Sequence, residues 1–146
     1  MMPSTAEQSA HDALAVYTLT HGDVAFIHQH VVDAFAAQHA TTETKPIAIT
    51  FALVGLYLHV ERGLSGRQVQ RAHSMLAKRT RRWPTFPLPE RRGVMTVIDV
   101  MTAPAGPERD RAIDAWCASV WDAYRDVAPT VATLAREHGL HAWTPG

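Results

Sequence analysis

The sequence predicts an all-α protein, a single-domain helical bundle of about five to six helices over residues 1–146. Apolar residues recur at three- and four-residue steps, the spacing of a helix with one buried face. Proline and glycine stand at the ends of these periodic segments. We find no internal repeat and no linker long enough to divide the chain, so we expect one domain, with 1–4 and 140–146 as flexible tails.

The first three helices are expected over about 5–19, 24–38 and 46–62. Asp23 is suited to be the N-cap of the second helix, because its carboxylate can accept from the free N–H groups of the first turn. The third helix begins at a proline, ends at Gly63, and carries large apolar residues over about 220° of its circumference. It is therefore expected to be the central, buried helix. Its narrow remaining face consists of Ala48, Ala52, Gly55 and His59.

A basic helix and a proline-rich segment follow. Ser65 and Gln68 have the spacing of a capping box that opens a fourth helix, which is expected to end near Arg79. The segment 83–93 contains three prolines. Because proline lacks an N–H donor and clashes with the preceding helical turn, this segment is expected to be extended and to cross the bundle.

The last third of the chain is expected to be helical, with one ambiguous stretch. Residues 94–100 are rich enough in β-branched side chains for a strand, whereas Thr96 and Asp99 have the spacing of a cap on a short helix. Pro107 opens the clearest amphipathic helix, and a last short helix is expected over 129–138. The apolar stripe of the Pro107 helix holds Trp116, Cys117, Trp121 and Tyr124. We expect all four in the core, with the cysteine as an inert thiol.

Composition excludes several classes of protein. Fourteen basic and fourteen acidic residues cancel, so the net charge suggests no polyanionic partner. The single cysteine excludes an internal disulfide and a multi-cysteine zinc cluster. The N-terminus lacks the features of a secretory signal, and the longest uncharged run, 46–60, is shorter than the roughly 20 residues of a membrane helix. We expect a cytoplasmic protein without a membrane partner.

Positive charge is concentrated in residues 67–92, which contain eight basic residues against Glu90 alone. The favoured interpretation is that this segment packs against the net acidic regions on either side and is neutralised by them. Binding of an anion or a nucleic acid through 67–92 is the weaker alternative. The lack of a known nucleic-acid motif in the sequence disfavours it.

Two histidines, His28 and His39, fall on the apolar side of the second helix when its residues are placed at 100° steps. The opposite side is expected to carry Gln29, His30 and Asp33. The two apolar-side histidines are about 16 Å apart along the helix, too far to share one metal ion. Buried imidazoles need partners, so we look for these partners on another helix.

Glu61 is the expected partner of His28. It falls within the apolar arc of the third helix and in its last turn, where the helix dipole disfavours a negative charge, so it needs a specific contact. If the second and third helices pack antiparallel, His39 lies near Pro46 and His28 comes within about one turn of Glu61. We therefore predict a His28–Glu61 contact.

Three roles are open for this pair. A buried imidazole–carboxylate hydrogen bond that pins two helices together is favoured. A divalent-metal site, in which groups from another helix join His28 and Glu61, comes second, and general acid–base catalysis by His28 and Glu61 comes third. His39 is a further candidate metal ligand. His59 and His73 are expected to be ordinary helix-surface residues.

The polar residues of the second helix form a pattern, His-x4-Asp-Ala-aromatic-x2-Gln-His, at His28, Asp33-Ala34-Phe35 and Gln38-His39. Further motifs are Glu61-Arg62-Gly63, Trp83 to Pro89, Met95-Thr96-Val97-Ile98-Asp99-Val100, and the pair Trp116 and Trp121. In order and spacing they resemble an uncharacterised family of small bacterial proteins, classed only as a domain of unknown function, over about residues 24–135.

This resemblance implies no activity. Many family members open with a Cys-Pro-x-Cys-Gly segment like half a zinc ribbon, and this chain has none, which leaves a metal role of such cysteines without support here. The resemblance does suggest which polar residues matter: His28, Asp33, Gln38, His39 and Glu61.

The sequence leaves the function open between classes. The favoured hypothesis is a binding or assembly module, with a homodimer as one form of it, whose buried His/Glu pair holds the architecture. The alternative is a small metal-binding protein or enzyme with a small-molecule pocket lined by His28 and Glu61. The candidate binding residues are His28, Asp33, Gln38, His39, Glu61 and Tyr57.

Overall fold

A computed structural model gives the fold, and it describes residues 2–20, 25–79 and 82–140. Within these ranges the predicted all-α class is confirmed, with seven helices instead of five to six and no strand. The helices are α1 (Thr5–Thr20), α2 (His28–Gln38), α3 (Pro46–Val60), α4 (Gly66–Arg79), α5 (Val97–Thr102), α6 (Pro107–Ala123) and α7 (Ala128–Glu137). The predicted N-cap Asp23 and residues 141–146 lie outside the described residues.

α3 is the central helix, as its sequence predicts. It is buried along most of its length and packs against α2, α4, α6 and α7. Gly63 follows its C-terminus with a left-handed backbone at φ 72°. The Gly63 N–H donates to His59 O at 3.1 Å and the Leu64 N–H to Leu58 O at 3.0 Å. This Schellman pattern satisfies carbonyl groups that the helix end would leave free.

Two capping boxes predicted from the sequence are present. At the start of α4, the Ser65 N–H donates to Gln68 Oε1 at 2.8 Å and the Gln68 N–H donates to Ser65 Oγ at 3.3 Å. At the start of α5, the Thr96 N–H donates to Asp99 Oδ2 at 2.8 Å. These bonds satisfy the free N–H groups of each helix start. The strand alternative for 94–100 is therefore wrong.

α2 starts at His28, later than the predicted start near residue 24. Phe26 has a left-handed backbone at φ 58°, which a helix cannot continue through. Gly66 makes room for this turn against the start of α4, because a Cβ at that position would overlap with Phe26 O. The turn thus sets where α2 begins and ties it to α4.

The buried side of α2 differs from the one predicted. His30 and Asp33 are only 4% and 3% exposed, whereas Val32 is 40% exposed and His28 is half-buried. The prediction assumed one apolar stripe facing the core. α2 instead packs against α1, α3, α4 and α6, so most of its circumference is covered. Placing His30 and Asp33 on the side away from the core was therefore wrong.

The rest of the fold follows the sequence closely. Segment 83–93 has no regular secondary structure, as its prolines predict, and its Phe86 is buried. Leu140 is fully buried, so residue 140 does not belong to a flexible tail as expected. The four residues expected in the core of α6 and just beyond it are buried, namely Trp116, Cys117, Trp121 and Tyr124. None of the described helices combines the length and the apolar character needed to traverse a bilayer.

Candidate functional site

α2 and α3 pack antiparallel, in the register expected from the sequence. His30 stacks on His59, with ring centroids 3.4 Å apart. About one turn away, Asp33 lies directly against Gly55, so that a Cβ at Gly55 would overlap with Asp33 Oδ2. The small residues on one face of α3 predicted that another helix would approach closely there. That helix is α2.

The predicted His28–Glu61 contact is wrong. His28 Nδ1 lies 2.8 Å from Thr18 Oγ1 on α1, and Glu61 Oε2 accepts from Trp121 Nε1 at 2.6 Å. Among the described residues, no hydrogen bond or ion pair joins His28 to Glu61. The stacked rings of His30 and His59 occupy the level at which this pair was expected.

The two histidines of the predicted apolar stripe have their partners on α1. Facing pairs at successive levels of the antiparallel α1 and α2 are Thr18–His28, His11–Phe35 and Glu7–His39. The His11 and Phe35 rings stack with centroids 4.0 Å apart, and His39 Nε2 lies 3.6 Å from Glu7 Oε2. Burial, helped by the nearby His11 charge, lowers the pKa of His28. The sequence indicated that these imidazoles need partners, but not which helix supplies them.

Asp33 is the one carboxyl side chain that is fully buried among the described residues. Its Oδ1 accepts from Gln29 Nε2 at 3.2 Å, and its Oδ2 has no hydrogen-bond partner. Burial raises the pKa of Asp33 well above its usual value. A Cβ at Gly55 would also lie 3.1 Å from His73 Nε2, so the carboxyl and this imidazole converge over the glycine.

His73 is buried, and its expected place on the helix surface is wrong. Its Nε2 donates to Phe51 O at 2.8 Å, and its ring stacks on the Phe51 ring with centroids 4.9 Å apart. Burial lowers the pKa of His73 to about 4. With the pKa of Asp33 raised and that of His73 lowered, the polar residues between α2, α3 and α4 form a cluster that avoids buried charge.

A second cluster joins α2, α3 and α6 around His59, which was also expected to be an ordinary surface residue. His59 Nδ1 lies 3.0 Å from Leu64 O, and Nε2 lies 2.9 Å from Asp114 Oδ1. The hydrogen bond to His59 lowers the pKa of Asp114. Cys117 Sγ lies 3.7 Å from His30 O, and burial raises the pKa of this thiol well above its usual value. The cysteine is therefore a protonated, buried thiol.

Gln38 fixes the proline-rich segment to the end of α2. Its Oε1 accepts from Trp116 Nε1 at 2.9 Å, while its Nε2 donates to Met95 O at 2.6 Å and to Arg92 O at 3.2 Å. The Arg92 guanidinium donates in return to Ala40 O and, at 3.3 Å, to Gln38 O. These bonds satisfy carbonyl groups at the C-terminus of α2 and hold the segment in one position.

An open cleft of about 940 Å³ lies between this segment, the end of α2 and one face of α6. Gln38 and His39, two of the predicted binding residues, line it together with Glu7 of α1. Small side chains of α6 line another side, namely Ala115, Ala118, Ser119 and Ala123. Charges of both signs also line the cleft, from Arg91, Arg125, Asp122 and Asp126 among others.

The predicted binding residues are thus divided between several places. Gln38 and His39 reach the cleft, whereas Asp33 and Tyr57 are buried and His28 lies between α1 and α2. The Tyr57 ring lies in the core, beside an α6 tryptophan. In the described part of the chain, no group of three or more His, Cys, Asp or Glu side chains is arranged to hold a metal ion.

Two arginines of the basic segment bind backbone carbonyl groups of other elements. Arg79 Nη1 donates to His138 O at 2.6 Å, and Arg92 donates to carbonyl groups at the end of α2. Both guanidinium groups therefore donate to backbone carbonyl oxygens and not to carboxylates. Arg67 and Arg71 lie exposed on α4.

Several interacting side chains were missed from the sequence: His30, His59, His73 and Arg92. The sequence did contain a signal for His30 and His59. Ala34 and Ala37 form a small-residue stripe on α2 that could have been matched with the stripe around Gly55 on α3. Matching the two stripes would have turned His30 towards α3. The roles of His73 and Arg92 depend on contacts between distant segments, which no local pattern shows.

Comparison with known proteins gives a family but no activity. No curated protein and no solved structure matches the chain. The family model described as a family of unknown function, DUF5946, matches residues 6–125. This range includes both histidine clusters and nearly all of the cleft. The chain therefore belongs to DUF5946, a family of unknown function.

Proposed function

We propose that this protein is a small-molecule-binding module and that the cleft beside Gln38 and His39 is its binding site. The observation that carries the proposal is the fixed wall of the cleft. Segment 83–93 has no regular secondary structure, yet Gln38 and Arg92 bind it to the end of α2. Just beyond it, Ser119 Oγ accepts from the Val94 N–H at 3.1 Å.

A wall that is ordered in advance favours binding, because less conformational entropy is lost when the ligand enters. The cleft volume of about 940 Å³ is typical of small-molecule sites. Two of the residues suggested by the sequence pattern, Gln38 and His39, belong to it. On the buried side of this arrangement, Gln38 Oε1 accepts from Trp116 Nε1 at 2.9 Å.

The lining favours a small organic ligand with an apolar body and ionised groups of both signs. Ala115 and Ala118 offer an apolar surface of little bulk. The Arg125–Asp122 ion pair, at 3.6 Å, joins two side chains that are about three-quarters exposed. Such a pair contributes little to stability and can open to meet the charges of a ligand. The assembly role, the homo-oligomer, the divalent metal and the cytoplasmic location stay predictions.

A panel of zwitterionic amino acids, dipeptides, dicarboxylates and diamines tests the proposal by thermal shift, with calorimetric titration of every compound that stabilises the protein. Ala118→Trp fills the cleft from an exposed position on α6. Ala77→Trp, at an exposed position on α4, is the matched control. We expect saturable binding of at least one class at one site. Ala118→Trp should weaken it at least tenfold and Ala77→Trp less than twofold. Binding that survives Ala118→Trp, or no binding by any class, would contradict the proposal.

A further inference from the structure

α4 carries a line of cations on its outward face. Arg67, Arg71 and Lys78 are all exposed. At 100° and 1.5 Å per residue they lie within an arc of about 40° over about 16 Å of helix axis. The opposite side of α4 is buried and consists of Val69, Ala72, His73 and Leu76.

These cations have no carboxylate beside them in the sequence. The stretch 62–89 contains no aspartate or glutamate. Within the described ranges, none of Arg67, Arg71 and Lys78 forms an ion pair with a carboxylate. Arg67 lies over the Phe26 ring, 4.8 Å from its centroid, and its Nη1 donates to Gln70 Oε1 at 3.0 Å. The positive charge of this face is therefore available to a partner, although the whole chain is neutral.

We propose that the outward face of α4 binds the phosphate backbone of a nucleic acid. A row of cations along one helix face is complementary to a row of phosphates along a strand, and each phosphate that is neutralised releases condensed counterions. Arginine prevails over lysine in 62–82, by six to one. Its planar guanidinium can donate two hydrogen bonds to one phosphate. Since phosphates carry no sequence information, the binding should be independent of sequence.

An anionic membrane fits this face less well. Helices that bind a membrane surface place large apolar side chains beside the cations. In the described part of 62–92, no large apolar side chain is exposed, since those of α4 point into the core. The surface thus offers charge without anything to insert between lipids. The proposal is independent of the cleft and of its ligand.

Fluorescence anisotropy with a labelled 24-base-pair DNA duplex and a labelled 24-nucleotide RNA of mixed sequence tests the proposal. The test variant is Arg67→Gln/Arg71→Gln/Lys78→Gln. The matched control, Lys45→Gln/Arg111→Gln/Arg136→Gln, removes three exposed cations elsewhere and so changes the net charge equally. Circular dichroism checks the fold of each. Arg71→Glu is a second test that needs a single exposed substitution.

We expect saturable binding at 50 mM KCl to at least one of the two probes, weakened at least tenfold in the triple variant and less than threefold in the control. The slope of log affinity against log salt is negative, and its magnitude should decrease by about 2 to 3 in the triple variant. Each phosphate that the protein no longer neutralises accounts for about 0.9 of this decrease. Arg71→Glu should weaken binding at least threefold. The absence of saturable binding, equal weakening in the control, or binding to phosphatidylserine vesicles but to neither nucleic acid would overturn the proposal.

Discussion

His30 lies flat on His59, with the two ring planes inclined by 16°. His59 faces an acceptor at each ring nitrogen, Leu64 O on one side and Asp114 Oδ1 on the other. The stack is therefore fixed from two sides, by a backbone carbonyl beyond α3 and by a carboxylate on α6.

The Asp114 carboxylate should help to hold the His59 ring in its stack on His30. Asp114→Asn keeps the shape of the side chain but removes the negative charge that faces the imidazole. Because Asp114 is well exposed, we expect a loss of less than about 1 kcal/mol in the free energy of unfolding, measured with urea. In a ¹H–¹³C correlation spectrum at pH 7, the ring signals of His59 should shift, because a different group then faces its Nε2. Asp122→Asn, an exposed α6 carboxyl without a histidine partner, is the control and should leave the His59 signals unchanged.

Gly55→Ala should destabilise the fold through overpacking. The new methyl would overlap with Asp33 Oδ2 and lie 2.6 Å from Asp33 Cγ. The neighbour is a short, buried side chain with little freedom to move, so we expect a loss of about 2–3 kcal/mol in urea unfolding. In an Asp33→Ala background the obstacle is gone, and the same substitution should cost less than half as much. Equal costs in the two backgrounds would show that α2 does not approach Gly55 as described.

Asp33 should make stability fall as pH rises. Its pKa in the unfolded chain is the ordinary value of 3.8, and burial raises its pKa in the folded protein well above this. Between these values the folded protein holds a proton that the unfolded chain has lost. The free energy of unfolding therefore falls by up to about 1.4 kcal/mol per pH unit above about pH 4.

Asp33→Asn removes this titration and keeps an uncharged polar group. We expect the variant to gain stability relative to the wild type as pH rises from 4.5 to 8 in urea unfolding. His73 titrates in both proteins, so its contribution cancels in the difference. A difference that stays constant across this range would mean that Asp33 is ionised in the folded protein.

His73 should make stability rise with pH, in contrast to Asp33. Its pKa is about 4 in the folded protein, against 6.5 for the unfolded chain. Between these values the unfolded chain binds a proton that the folded protein does not. The contribution of His73 to the free energy of unfolding is therefore fully present above pH 6.5 and is lost as pH falls towards 4. Imidazole ¹⁵N spectra should show the Nε2–H form throughout pH 5–8, in keeping with the bond to Phe51 O. A midpoint near 6.5 would contradict the burial of this ring.

Gln38→Leu should cost about 2–4 kcal/mol, because it leaves the buried Trp116 N–H and Met95 carbonyl without a partner. Urea unfolding followed by tryptophan fluorescence measures the loss. Gln8→Leu, at an exposed position on α1, is the control and should stay within about 0.5 kcal/mol of the wild type. Similar costs for both would mean that the Gln38 network does not hold the segment.

The sequence was sufficient for the helices and for part of their arrangement. Capping residues and the spacing of apolar residues identified most of the helices. The small residues on the α3 face around Gly55 indicated that another helix packs closely there. The rotation of α2 could not be obtained in this way, because a helix surrounded by four others has no single buried side. The partners of His28 and Glu61 lie on α1 and α6, at separations that local patterns do not encode.

Segment 83–93 has no regular backbone pairing of its own. Its position depends on Gln38 from α2, and the residues that follow it are held by Ser119 from α6, so its order depends on contacts with two other helices. In the native protein, segment 83–93 should therefore open locally while the rest of the fold stays intact. Its amide protons should exchange with solvent before those of α3. A ligand seated in the cleft would slow this exchange without touching the core.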